Sequence, residues 1–253
     1  MTLAEAVGMA GNDVVALVGG GGKSTAMFRL AREAVERGGV AITTTTTKIY
    51  ASQIAHAPAS VPAAEASRER VTAALAAHRH VLVIGPENRE TKRADGVPLA
   101  LFHDLRAWFP DAALINEADG SRMRPFKAPA AHEPVIPAET TLVVLVVGAD
   151  ALGQPLDDAH VHRAALVSAL SGTPLGAPVT AETIARTLGH ADGGRKGVPP
   201  GARVVALVNK VDALPDPAPA RALAASLLRE PAIEAVVLAA VRAEKPVVEV
   251  VRR

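Results

Sequence analysis

The stretch VVALVGGGGKST, residues 14–25, joins an apolar run to four consecutive glycines, a lysine and two hydroxyl residues. The apolar run reads as a buried strand, and FRLAREAVERG after it carries apolar residues at helical spacing with Gly38 and Gly39 as a stop. A glycine turn between strand and helix presents free backbone N–H groups and the positive end of a helix dipole to an anion. Gly19, Gly20, Gly21 and Gly22 are therefore expected to cradle phosphates, Lys23 to reach the terminal phosphates, and Ser24 or Thr25 to offer a hydroxyl to Mg2+. The usual phosphate loop has its first glycine six residues before the lysine; here Leu17 holds that place, so the loop is a compact variant. No register of the glycines gives the dinucleotide-binding G-x-G-x-x-G/A pattern. A ligand-free glycine turn would not require Lys-Ser-Thr directly after it.

Composition narrows the classes. The chain has 253 residues, 49% of them hydrophobic, enough for a substantial core, and residues 1–253 are expected to form one α/β domain. Lys and Arg number 27 against 26 Asp and Glu, so no global field draws the protein to nucleic acid or an anionic membrane. The absence of cysteine excludes a disulfide framework, an iron–sulfur cluster, a thiolate zinc site and a cysteine-borne persulfide or selenide. Aromatic residues are scarce, which disfavours base-stacking platforms for single-stranded nucleic acid. MTLAEAVGMAG lacks the pattern of a secretory signal and LVVLVVGA is too short to span a bilayer, so the expected location is the cytoplasm.

Apolar runs recur at DVVALV, GVAITT, HVLVIG, AALINEA, TLVVLVV, RVVALV and EAVVLA, with helix-like segments between most of them. This predicts a mainly parallel sheet flanked by helices. HAPASVPAAEAS and LPDPAPA read as surface loops leading into helices, GPENRETKRADGVP as a small hairpin or lid beside the site, and EKPVVEVVRR as an edge strand.

Ligands in such sheets sit beyond the carboxyl ends of the strands. After the second run come Thr43 to Thr47 and Lys48: hydroxyls for magnesium or the γ-phosphate, or simply a continued strand, with Lys48 the better candidate for neutralising charge. The fourth run ends in Glu117 and Asp119, placed to hold magnesium and position an attacking group. Next comes a proline-rich loop bearing Arg122, Arg124, Lys127, His132 and Glu133, suited to substrate contact or to a lid. Asp150, Asp157, Asp158, His160, His162 and Arg163 follow the fifth strand; their spacing allows a metal site, but capping suits Asp157 and Asp158 better. The sixth run ends in NKVD. Asn209, Lys210 and Asp212 are expected at the nucleotide, with Asp212 accepting from a guanine edge and the Ala239 and Ala240 amides meeting the guanine carbonyl.

VGGGGKST, TTTTTKI, EADGSRMRPFKAPAAHEPVIP and GADALGQPLDDAHVHR, with NKVD beyond them, resemble the YqeC-type accessory proteins of selenium-dependent molybdenum hydroxylases. The resemblance implies a P-loop NTPase-like fold and a nucleotide-binding protein serving maturation of a molybdenum-containing hydroxylase, and it fixes no catalytic residue. Three functions follow. The first is a magnesium-dependent nucleoside triphosphatase using GTP or ATP, GTP slightly favoured, with Lys23, Asp119 and Lys48 as catalytic candidates and Ser24 and Glu117 as metal ligands. The second is a transferase or ligase that passes a phosphoryl or nucleotidyl group to a cofactor precursor held by the His132–Glu133 loop and the His162–Arg163 segment. The third is a nucleotide-gated binding module without turnover.

Overall fold

In the computed structural model, which describes residues 1–253, the run before the glycines is strand β1 (Val14–Gly19), buried along its whole length. Eight further strands join it: β2 (Ala41–Thr45), β3 (Ser60–Pro62), β4 (His80–Ile84), β5 (Ala113–Glu117), β6 (Leu142–Gly148), β7 (Arg203–Asn209), β8 (Ala235–Ala239) and β9 (Val247–Arg252). Their spatial order is β9-β8-β7-β6-β1-β5-β2-β4-β3, parallel throughout except for the antiparallel edge strand β9. The fold is thus α/β and P-loop NTPase-like. Near-continuous Val, Leu and Ile in β1, β6 and β7 follow from burial on both faces, since a strand covered on both sides has no polar face to alternate with.

Side-chain alternation divides β1 between two cores. Val15 and Leu17 pack with Met27, Leu30 and Ala31 of helix α2 (Lys23–Glu36) and with Leu3 of helix α1 (Leu3–Ala6). Ala16 and Val18 face the opposite layer, where helices α5 (Ala164–Ser171), α6 (Ala181–Gly189) and α7 (Ala218–Leu227) contribute Val167, Ile184, Leu188, Leu223 and Leu227. A third cluster under helices α3 (Arg68–His78) and α4 (Leu99–Trp108) holds Val71, Leu75, Phe102 and Leu105 against Val14 and Ile42.

The seven apolar runs all form strands, and the C-terminal segment forms the expected edge. One segment read as a loop does not remain one: Ser60–Pro62 pairs in parallel with β4 as the last strand. A proline is tolerated there because an edge strand has one side with no partner. The charged GPENRETKRADGVP segment forms a hairpin of Glu87–Asn88 and Arg93–Ala94, to which Ile49–Tyr50 adds a third strand. No helix is long and apolar enough to cross a membrane.

Candidate phosphate-binding site

Parallel pairing brings the carboxyl ends of β1, β5 and β6 to one edge, with Leu17 opposite Glu117 and Gly19 opposite Val146. The glycine loop leaves this edge under tight constraint. Gly19 has φ +100°, and a Cβ there would lie 2.3 Å from the Val146 carbonyl oxygen; Gly21 has φ +81°, and its Cβ would lie 2.1 Å from the Gly148 nitrogen. The glycines are therefore required first by the neighbouring strand end, since the loop is pressed onto β6. Three loop amides are already engaged: Gly19 donates to the Asp119 carboxylate at 3.0 Å, Gly20 to the Val146 carbonyl at 2.9 Å and Gly21 to the Arg124 carbonyl at 3.2 Å.

Helix α2 starts directly after the loop. Its N-cap, Gly22, supplies no side-chain hydrogen bond, and the first turn has no acidic residue. Its leading amides and the positive end of its dipole are thus left for another acceptor. They border a cavity formed by Gly21, Gly22, Lys23, Ser24 and Thr25, with Lys48, Arg93, Arg122, Arg124, Lys210 and Arg242 around it and Glu117 as the one carboxylate. Lys48 pairs with Asp95 at 3.0 Å and Lys210 with Asp150 at 2.7 Å, whereas Arg93, Arg122 and Arg242 have no acidic partner. The lining thus carries a net positive charge.

Beneath the loop runs a buried ion network. Lys23, 3% exposed, donates from Nζ to its own loop at the Gly19 carbonyl (2.6 Å) and lies 3.3 Å from Asp119 and 3.6 Å from Glu117. Burial works against the charge on Lys23, but the Asp119 and Glu117 carboxylates outweigh it and hold its pKa above the ordinary lysine value. Asp119 also accepts from the Gly19 amide at 3.0 Å and from Lys127 at 2.9 Å. Lys127 continues to Glu133 at 2.5 Å and to the Gly120 carbonyl at 2.7 Å, and Glu133 accepts in turn from Arg163. Burial pushes the Glu133 carboxyl up, yet Lys127 and Arg163 more than offset this and hold it below the usual range. Glu117 stays raised because burial dominates over Lys23 and the 2.6 Å hydrogen bond donated by Ser24 Oγ.

The NKVD motif acts here through Asn209. Its side-chain amide donates to the Gly21 carbonyl at 2.7 Å and its oxygen accepts from the Val241 amide at 2.9 Å, tying the glycine loop to the end of β8.

A sequence profile for the YqeC protein matches residues 15–165, from β1 through every member of the ion network to the start of α5. This chain belongs to the YqeC family. The uncharacterized protein YqeC of Escherichia coli (strain K12) is 29% identical over 204 residues, covering 78% of this chain and 75% of that one.

In this YqeC family member the expected site residues fall into two groups. Gly21, Gly22, Lys23, Ser24, Thr25, Lys48, Glu117, Arg122, Arg124 and Lys210 border the cavity. Asp119 does not: it is 2% exposed and lies under the loop, where it accepts from the Gly19 amide and buttresses the turn. Lys127 and Glu133, read as lid residues, are likewise buried, because two more charges were needed to complete the network around Asp119. His132 is exposed and makes no hydrogen bond. Asp212 is exposed on a 3-10 turn and does not border the cavity. The Ala240 amide donates to the Pro246 carbonyl at 2.8 Å and Ala239 pairs with Val247, because the edge strand β9 takes up these positions. Thr43, Thr44, Thr45 and Thr46 hydroxyls are engaged by His80, Val83, Glu117 and Val135, which leaves them as structural groups.

Asp157 caps a turn by accepting from the Ala159 and His160 amides, and Asp158 accepts from the Ala164 amide at the start of α5. No group of three or more His, Asp or Glu side chains is arranged to hold a metal. Sequence reasoning missed Arg93, Tyr50 and Arg242. Arg93 stacks 4.6 Å above the Tyr50 ring from the hairpin, and Arg242 follows β8, where a strand-tip reading would have found it.

Proposed function

We propose that this protein binds a nucleoside triphosphate, GTP or ATP, at the glycine loop and hydrolyses it in support of maturing a molybdenum-containing hydroxylase. The observation that carries the reading is the uncapped N-terminus of α2 opening into a cavity with seven cationic side chains and one carboxylate. A half-buried helix end without a side-chain cap leaves its amides open to an acceptor, and phosphate oxygens supply one with matching charge. Ser24 Oγ and Glu117 Oε2 are hard oxygen donors 2.6 Å apart at the cavity wall, a pair that fits Mg2+ as two of its six ligands. Bound there, the ion would neutralise charge on the terminal phosphates. Lys23 would swing from the Gly19 carbonyl to those phosphates, while Arg93, Arg122 and Arg242 would offset the remaining charge. The accessory role rests on family membership alone, and Asp212 is the group proposed to favour guanine.

The test is phosphate release from GTP and from ATP with magnesium, beside nucleotide-dependent stabilisation against heat. Lys23→Ala should abolish turnover, and turnover that survives it removes the assigned site. A transferase or ligase reading has one observation in its favour: Arg122 and Arg124 border a second cavity as well as the first.

A further inference from the structure

The segment following Asp119 is held in an unusual shape. Arg122 and Met123 are consecutive left-handed residues, φ 49° and 64°, a conformation that a Cβ disfavours. Backbone contacts clamp the segment to the glycine loop and to the end of β6: the Arg124 carbonyl accepts from Gly21 at 3.2 Å and the Pro125 carbonyl from Gly148 at 2.8 Å. A Cβ on Gly20 would come within 2.7 Å of the Arg124 carbonyl oxygen, so the close approach is built into the sequence. Arg122 and Arg124 thereby stand where they border two cavities, the phosphate cavity and one bounded by Asp158, His162 and Arg163.

That second cavity has an excess of positive charge. Its one carboxylate, Asp158, accepts from the Ala164 amide at 3.0 Å, and Arg163 is engaged by Glu133 and by the Ala128 carbonyl. Arg124 donates from Nε to the Asp158 carbonyl at 3.2 Å, whereas Arg122 is exposed and has no hydrogen bond or ion pair within the chain. Burial, with Arg163, Lys127 and Arg122 nearby, pushes His162 down to about 4, so it faces the cavity as a neutral ring able to donate or accept.

We propose that the Arg122–Arg124–His162–Arg163 cavity binds the tetrahedral oxyanion group of a second substrate beside the terminal phosphate of the nucleotide. The proposal rests on the nucleotide reading above and extends it, since a shared arginine wall would hold two anions close together that otherwise repel each other.

The experiment is calorimetric titration of inorganic phosphate and of phenyl phosphate into the full chain, free and loaded with a non-hydrolysable triphosphate analogue and magnesium. The loaded protein should still bind one oxyanion. His162→Glu, which does not border the nucleotide cavity, should weaken that binding at least tenfold and leave analogue affinity unchanged; Arg122→Ala, at an exposed residue without partners, should weaken both. Tighter binding of phenyl phosphate assigns the oxyanion to an organic second substrate, and equal binding assigns it to a free oxyanion. Loaded protein that takes up no oxyanion, or uptake indifferent to both substitutions, overturns the proposal. If the analogue itself does not bind, the nucleotide reading fails separately, and comparing the free chain with His162→Glu still decides whether the second cavity holds an anion.

Discussion

The Asp119 carboxylate accepts the Gly19 backbone amide at 3.0 Å, joining the end of β5 to the first glycine of the loop across 100 residues of sequence. The same carboxylate lies between two buried ammonium groups, Lys23 at 3.3 Å and Lys127 at 2.9 Å. Asp119→Asn preserves shape but removes the charge that these lysines share. Breaking a buried ion pair by altering one partner costs on the order of 3 kcal/mol. The urea midpoint should therefore fall substantially without ligand, and an unchanged midpoint would show that Asp119 is not a buttress.

Lys127 and Glu133 form the next link, both buried and 2.5 Å apart. Lys127→Met should destabilise by about 3–5 kcal/mol because Glu133 and Asp119 lose a buried counter-charge. A double-mutant cycle with Glu133→Gln should show a coupling energy of about 1 kcal/mol or more. Simple additivity would mean that the pair acts as two independent surface charges.

Two glycines of similar φ separate loop geometry from packing. Gly21 (φ +81°) has no room for a Cβ against Gly148, whereas Gly153 (φ +77°) has nothing within 4 Å. Gly153→Ala should cost roughly 1–2 kcal/mol, the backbone penalty alone. Gly21→Ala should cost clearly more and lower nucleotide affinity, since the loop must lift off β6. Equal losses in thermal melts would argue that the loop yields freely.

Asn209 holds the glycine loop by its side chain and is buried. Asn209→Ala strands the Gly21 carbonyl and the Val241 amide, at about 1–3 kcal/mol for a buried group left without a partner. Nucleotide affinity should fall at least tenfold for GTP and ATP alike. Asp212→Asn, by contrast, should weaken GTP alone; an equal effect on both nucleotides removes guanine selection.

His80 is 5% exposed, bonded through Nε2 to Thr43 Oγ1 at 2.9 Å, and held down to about 4 by burial. Its folded pKa lies below the unfolded value near 6.5, so the unfolded chain binds more protons between these limits. Stability from this residue is fully present above pH 6.5 and is lost as pH falls toward 4, by at most roughly 3 kcal/mol. Chemical denaturation across that range should show a shallower slope for His80→Gln; the slope that remains includes His162, which is shifted in the same direction. Identical slopes would contradict the assignment.

The local patterns of β1, of the glycine turn and of α2 were legible because each lies within a few consecutive residues whose spacing fixes strand, turn and helix. The parallel sheet followed from the succession of apolar runs. Lys127 and Glu133 were not legible as core residues. Their environment is set by Asp119 and Arg163, which only parallel pairing of Phe126–Lys127 with Val161–His162 brings alongside. The roles of Asp119 and Asn209 were equally hidden, since a carboxylate or amide at a strand tip can face ligand or backbone with the same sequence around it. By itself the sequence determined where the glycine loop sits between strand and helix and which charges stand near it. Tertiary structure decided which of those charges are buried against each other and which are left for an anion, because burial raises the cost of an unpaired charge and so forces partners together across long stretches of chain.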